Sequence, residues 1–160
     1  MIAAAVFIIL ITIIMGTWEI YKIRLASRLE YDQMSIRNFQ AMDSLIRSPG
    51  MPLNWEEIVA TDINTVQSFG LADSDHRVSE EKVLAFMSIV SPDSPDLQDN
   101  VTVLKDKLNI GQYGFLLRLE NDRVNYSYGS KPSNEDSSVS TSRVVTFNDR
   151  ASVITLVLYL

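Results

Sequence analysis

The sequence predicts an α+β protein in which a long N-terminal hydrophobic helix, about residues 1–47, is followed by a small globular headgroup of short helices and an antiparallel β-sheet. Three observations carry this reading. The first 18 residues hold no charged side chain, no Pro interrupts the chain before Pro49, and from Tyr113 onward helical spacing gives way to short β-rich runs.

Met1 to Trp18 is membrane-grade in composition. At about 1.5 Å per residue, 18 helical residues span roughly 27 Å, close to the ~30 Å hydrocarbon core of a bilayer, and a helix satisfies its own backbone there. No basic stretch precedes the run and no small-residue cleavage site follows it, so it is not expected to be a removed secretory signal. With Gly16 the sole Gly before Gly50, the helix is expected to run on to about Arg47. At ~100° per residue Tyr31, Met34, Phe39, Met42, Leu45 and Ile46 share one arc, with Gln33, Arg37, Gln40, Ser44 and Arg47 opposite. Residues 1–25 therefore read as a filament core or membrane segment and 26–47 as an amphipathic stalk. Together they make a helix on the order of 70 Å.

Residues 48–160 form the predicted headgroup. Ser48-Pro-Gly-Met-Pro-Leu53 stops the helix. Asn54 followed by Glu56 and Glu57 reads as a capped helical turn, although the β-branched run that follows leaves helix and strand both open to Val66. Val66–Ala72 is expected to be extended and to end in a polar loop, 73–77. Ser79 with Glu80 and Glu81 starts a second helix, where acids meet the helix dipole favourably. Ser91-Pro-Asp-Ser-Pro-Asp96 reads as a loop. Leu97, Val101, Leu104 and Leu108 give a third helix, with Lys105 and Lys107 in its last turn and Gly111 after it. Tyr113–Glu120 and Arg123–Tyr128 form one hairpin, and Arg143–Phe147 with Ala151–Leu160 a second across Asn148–Arg150. The Ser- and Asp-rich segment 129–142 between them reads as a long exposed loop. About four strands result.

Composition narrows the functions. The 160 residues leave room for one small domain beyond the helix. Fourteen Lys and Arg against 20 Asp and Glu give a net charge of −6, which argues against a nucleic-acid surface. Without Cys there are no disulfides, thiolate nucleophiles or zinc-thiolate sites. His76, the single histidine, lies in a polar loop and reads as a solvated side chain. Asp73 and Asp75 lack the Gly and the distal Glu of a calcium loop. Glu56-Glu57 and Glu80-Glu81 are explained by the helix dipole. No phosphate-cradling Gly-rich loop occurs. No catalytic residue, metal ligand or cofactor is expected, and the protein is not expected to be an enzyme.

The layout resembles the archaeal type IV pilins and pilin-like proteins that carry a class III signal peptide. The resemblance rests on Ser48-Pro-Gly-Met-Pro-Leu-Asn-Trp-Glu56, Phe69-Gly-Leu-Ala72, Glu81-Lys-Val-Leu84, Leu104-Lys-Asp-Lys-Leu108 leading to Tyr113-Gly-Phe-Leu-Leu117, and the apolar strand after Arg143-Val-Val145. Residue 5 is Ala where bacterial relatives carry a Glu, a departure common among archaeal members. The resemblance implies a chain inserted in the membrane before assembly and then polymerised with itself into an extracellular filament for adhesion or surface attachment. Its implied assembly residues are Ile2, Val6, Phe7, Ile9, Leu10, Ile13, Ile14, Gly16 and Trp18. Ala3, Ala4, Ala5 and Gly16 would allow close approach of neighbouring helices. A processed leader upstream of Met1 would mark a pilin, and its absence a plain membrane anchor. The triplets Asn125-Tyr-Ser127 and Asn100-Val-Thr102 are candidate N-glycosylation sites, with Asn125 the better placed near a hairpin. Surface glycans are thus possible partners, alongside other copies of the chain.

Overall fold

The computed structural model describes residues 2–90, 97–134 and 136–160, with side chains for 7–90, 98–134 and 136–160. The predicted loop 91–96 lies outside the described residues. The chain divides into two compact units, Met1–Gln33 and Met34–Leu160. Helix α1 (Ile2–Arg47) supplies all of the described part of the first unit and the opening element of the second. The second compact unit, the head, begins at Met34, inside the helix.

The second unit is α+β. After α1 come α2 (Trp55–Ile58), a 3-10 turn (Ile63–Thr65), β1 (Ala72–Ser74), β2 (Arg77–Val78), α3 (Glu80–Ile89), α4 (Leu97–Lys107), β3 (Gly114–Glu120), β4 (Asn125–Gly129), β5 (Ser138–Phe147) and β6 (Arg150–Tyr159). The sheet has six strands in the order β1-β2-β5-β6-β3-β4. Four of them are the predicted ones. The short β1 and β2 overlap the two ends of the stretch 73–77 read as a polar loop, and β2 runs parallel to β5 at Arg77↔Thr146 and Val78↔Phe147, so the sheet is mixed and not wholly antiparallel. Strands of two and three residues carry no period-two pattern to detect. Strand β5 also begins at Ser138, inside the predicted loop, with Ser138↔Tyr159 and Val139↔Leu158 pairing it to β6.

Local chemistry explains the turns. Asn148 and Asp149 both take positive φ, 51° and 59°, and join β5 to β6 as a two-residue hairpin of the kind whose twist matches the strands. The β3–β4 turn lacks Gly because Asn121 replaces it: its Oδ1 accepts from the backbone N–H of Arg123 and Val124 at 2.8 and 2.9 Å. Helix α4 ends on Asn109 in the left-handed region (φ 56°), with Asn109 N–H donating to Asp106 O and Ile110 N–H to Lys105 O, so Asn109 and not Gly111 closes the helix. Neither Asn54 nor Ser79 makes the expected side-chain cap. The Asn54 amide donates to the Glu57 carboxylate instead, at 3.2 Å.

The core lies between the sheet's inner face and the helices. β6 buries Ser152, Ile154, Leu156 and Leu158 from alternate positions, and β3 buries Phe115, Leu117 and Leu119. The part of α1 in this unit buries Met34, Asn38, Ala41, Met42, Leu45 and Ile46. The predicted arc is therefore displaced, since Tyr31 and Phe39 are exposed and Asn38 is inside. Burying an amide costs free energy unless it is bonded. Asn38 Nδ2 donates to Val139 O at 2.7 Å and Leu156 O at 3.1 Å, joining the helix to β5 and β6. Phe39 stays outside with the Arg143 guanidinium 5.1 Å over its ring.

Candidate functional site

Three of the sequence segments singled out above, Ser48–Trp55, Phe69–Ala72 and Glu81–Leu84, meet around Trp55. Its indole is fully buried, packs edge-on to Phe69 at 5.0 Å and donates from Nε1 to Gly70 O at 2.9 Å. Phe69 in turn packs edge-on to Phe86 of α3. A Cβ at Gly70 would collide with Ser48 O and Gly50 N, and Gly50 holds φ +83° under the indole. Lys82 of α3 reaches into the same region and donates to Pro49 O at 2.7 Å and Ala72 O at 3.4 Å. Thus Ser48–Trp55, Phe69–Ala72 and Glu81–Leu84 interlock, and what these short motifs specify is the packing that follows the C-terminal end of α1.

Residues considered for chemistry are dispersed, with His76 and Glu80 held in structural contacts and Glu56 Oε2 buried without a hydrogen-bond partner among the described residues. His76 has φ +60°, its N–H donates to Ile46 O, its O accepts from Thr146 N–H, and its Nδ1 lies 2.8 Å from Asp75. It ties the β1–β2 turn to the end of α1 and to β5. Glu80 accepts from the Asn148 amide at 3.0 Å. Arg150 bonds Asp122 at 2.6 Å and links the two hairpin turns. Burial, with Tyr126 nearby, pushes the Tyr128 phenol above its ordinary value and keeps it neutral. Among the described residues, the lining of a groove of about 380 Å³ that includes Val90, Val101, Lys105 and Phe115 has no His, Asp or Glu. Among the described residues no three His, Cys, Asp or Glu are grouped to hold a metal.

The two sequons differ in setting. Asn125 opens edge strand β4 opposite Glu120, and Asn125 and Ser127 both lie exposed on one face of it. Asn100 sits within α4, part-buried and facing the segment Val59–Asn64. An enzyme that must reach the amide meets an extended, exposed edge at Asn125 and a partly covered helical turn at Asn100. Asn125→Gln is expected to remove any N-glycan, seen as a fall in the intact mass of the protein purified from its host, whereas Asn100→Gln is expected to shift the mass only by the added methylene.

The first unit is helical throughout its described part, and its described apolar side chains are exposed. Phe7, Ile9, Leu10, Ile13, Ile14 and Trp18 are exposed, Phe7 and Ile14 each by 63%, and exposed Ile8, Ile11 and Met15 carry the apolar surface round the other side of the helix. The side chains of Ile2, Val6 and Ala3–Ala5 lie outside the described residues. Hydroxyls in this region turn inward to their own helix: Thr12 Oγ1 donates to Ile8 O and Thr17 Oγ1 to Ile14 O, both at 2.9 Å, and Ser27 Oγ to Ile23 O at 3.1 Å. No side-chain hydroxyl along Phe7–Trp18 thus needs an outside partner. An added Cβ at Gly16 would have nothing within 4 Å. A mid-helix Gly costs roughly 0.5–1 kcal/mol relative to Ala, and no contact within the chain requires it. Trp18 stacks on Tyr21 at 6.1 Å, and Glu19 pairs with Lys22 at 2.6 Å where the uncharged run ends.

Among the described residues no helix is long and apolar enough to cross a membrane. From Phe7, where described side chains begin, to Trp18 the uncharged run spans about 18 Å, less than a bilayer core. The expected match of residues 1–18 to bilayer thickness rests in part on residues outside those described. Comparison of the chain with protein-family models, with curated proteins and with solved structures returns no match.

Proposed function

We propose that the chain is a structural subunit of an archaeal type IV pilus-like cell-surface filament, built by bundling of its N-terminal apolar helices and serving adhesion or surface attachment. The observation that carries this reading is the bare helix Phe7–Trp18. Large apolar side chains stand exposed on every side of it, its hydroxyls are internally bonded, and Gly16 leaves an open notch. Contiguous apolar surface of this kind marks an interface with protein or lipid, and a helix apolar all round requires neighbours all round. A bundle of identical helices supplies them, with small residues allowing close approach. The head buries its own core without the first unit's side chains, so it is suited to remain outside such a bundle. In this reading the chain passes through the membrane before assembly, the filament is extracellular, and no reaction is assigned to it.

One observation favours a second reading, a single-pass anchor displaying a binding or sensing domain. Trp18 and Tyr21 followed by Lys22, Arg24 and Arg28 match the aromatic and basic residues that flank membrane segments. A minor pilin that primes or caps a filament or secretion apparatus would carry the same features. Electron microscopy of the purified full-length protein after detergent removal separates these readings. Helical fibres whose core contains residues 1–25 are expected. A protein that stays monomeric and detergent-dependent overturns the major-filament reading.

A further inference from the structure

Between Glu19 and Asp32 the first unit carries its charges in opposing sets. Glu19 and Lys22 neutralise each other within the helix at 2.6 Å. Arg24, Arg28, Glu30 and Asp32 are exposed and make no ion pair among the described residues. At about 100° per residue Arg24 and Arg28 lie ~40° apart on one side of the helix, and Glu30 lies ~120° from the first and ~160° from the second, on the far side. Asp32 borders the basic side, ~40° beyond Arg28, and leaves that side with a surplus of one positive charge.

We propose that this arrangement sets the register between copies of the chain, with Glu30 of one helix seated between Arg24 and Arg28 of a parallel neighbour. The inference rests on the filament reading and specifies its contact. The complementary charges are on opposite sides, so a two-fold pair would press basic against basic or acidic against acidic. A contact between unlike sides satisfies both, leaves each helix with one side still unpaired, and so propagates as an open polymer. Axially, a neighbour displaced by four residues, about 6 Å, sets Glu30 level with the midpoint between Arg24 and Arg28. With no displacement Glu30 stands beside Arg28 alone. The apolar run Phe7–Trp18 overlaps its counterpart under the same displacement, so apolar contact supplies the attraction and the ion pairs select the register.

The test is assembly of full-length protein after detergent removal, read by sedimentation and electron microscopy, for wild type, Arg24→Glu/Arg28→Glu, Glu30→Arg, and a mixture of the two variants. Wild type is expected to form fibres, and each variant alone to need at least about tenfold more protein to do so, because like charges then face each other. The mixture is expected to recover fibres, since each variant presents the side that the other lacks. Head melting should be the same in all samples. Variants that assemble as wild type does, or a mixture that stays unassembled, overturn the register while leaving the filament reading intact. Wild type that forms no fibres overturns both.

Discussion

Trp55→Ala is expected to lower the stability of the head by about 3–5 kcal/mol, a large part of the ~5–15 kcal/mol available to a domain of this size. Three losses coincide at one residue. The fully buried indole leaves a void between Phe69 and Gly50, the edge-on contact at 5.0 Å disappears, and Gly70 O loses the donor at 2.9 Å that holds it. The void cannot close readily, because Gly50 and Gly70 already bring backbone against backbone. Urea unfolding of a truncated chain of residues 26–160, which retains the whole compact unit from Met34, checks this. A loss below about 1 kcal/mol would show that the interlocked motifs do not carry the fold.

Ile13→Lys is expected to abolish assembly while leaving head stability unchanged. Ile13 stands 57% exposed in the middle of the uncharged run and is not a member of the head core. In the proposed bundle it becomes fully enclosed, and a charge on an apolar helix in a medium without water costs at least about 2.5–3.5 kcal/mol per copy. That cost recurs at every subunit, so the loss of fibres is complete and not graded. The conservative Ile13→Leu is expected to assemble normally. Sedimentation reads assembly and thermal melting reads the head. Fibres from Ile13→Lys would place the apolar run outside the subunit interface.

The two substitutions act on different units for a physical reason. Stability of the head comes from apolar area already buried within Met34–Leu160, whereas the apolar area of Phe7–Trp18 is still unburied in the single chain and is available for association. One variant therefore tests the fold and the other its use.

Much was legible in the sequence because it depended on neighbours close in the chain. The uninterrupted helix to Arg47, the turn at Trp55, the two later helices and the hairpins β3–β4 and β5–β6 followed from apolar spacing and turn residues, and they stand where expected within a few residues. The candidate assembly residues were legible as an uncharged run; the exposure of those from Phe7 to Trp18 was not, because exposure depends on the rest of the chain. Tertiary structure decided what local pattern does not encode. Asn38 replaced Phe39 inside the head since two strand carbonyls, over 100 residues away, accept its amide protons. Strand β2 exists because β5 offers it a partner and β1 pairs with β2 in turn, and Ser138–Ser142 became strand through its pairing with β6 despite a polar composition. The sequence by itself thus determined the helices, the hairpins and the uncharged apolar run, since composition, periodicity and turn chemistry are local. Which polar groups are buried, where the sheet ends and how the motifs around Trp55 interlock were decided only by the fold, because each depends on partners that the chain brings together from afar.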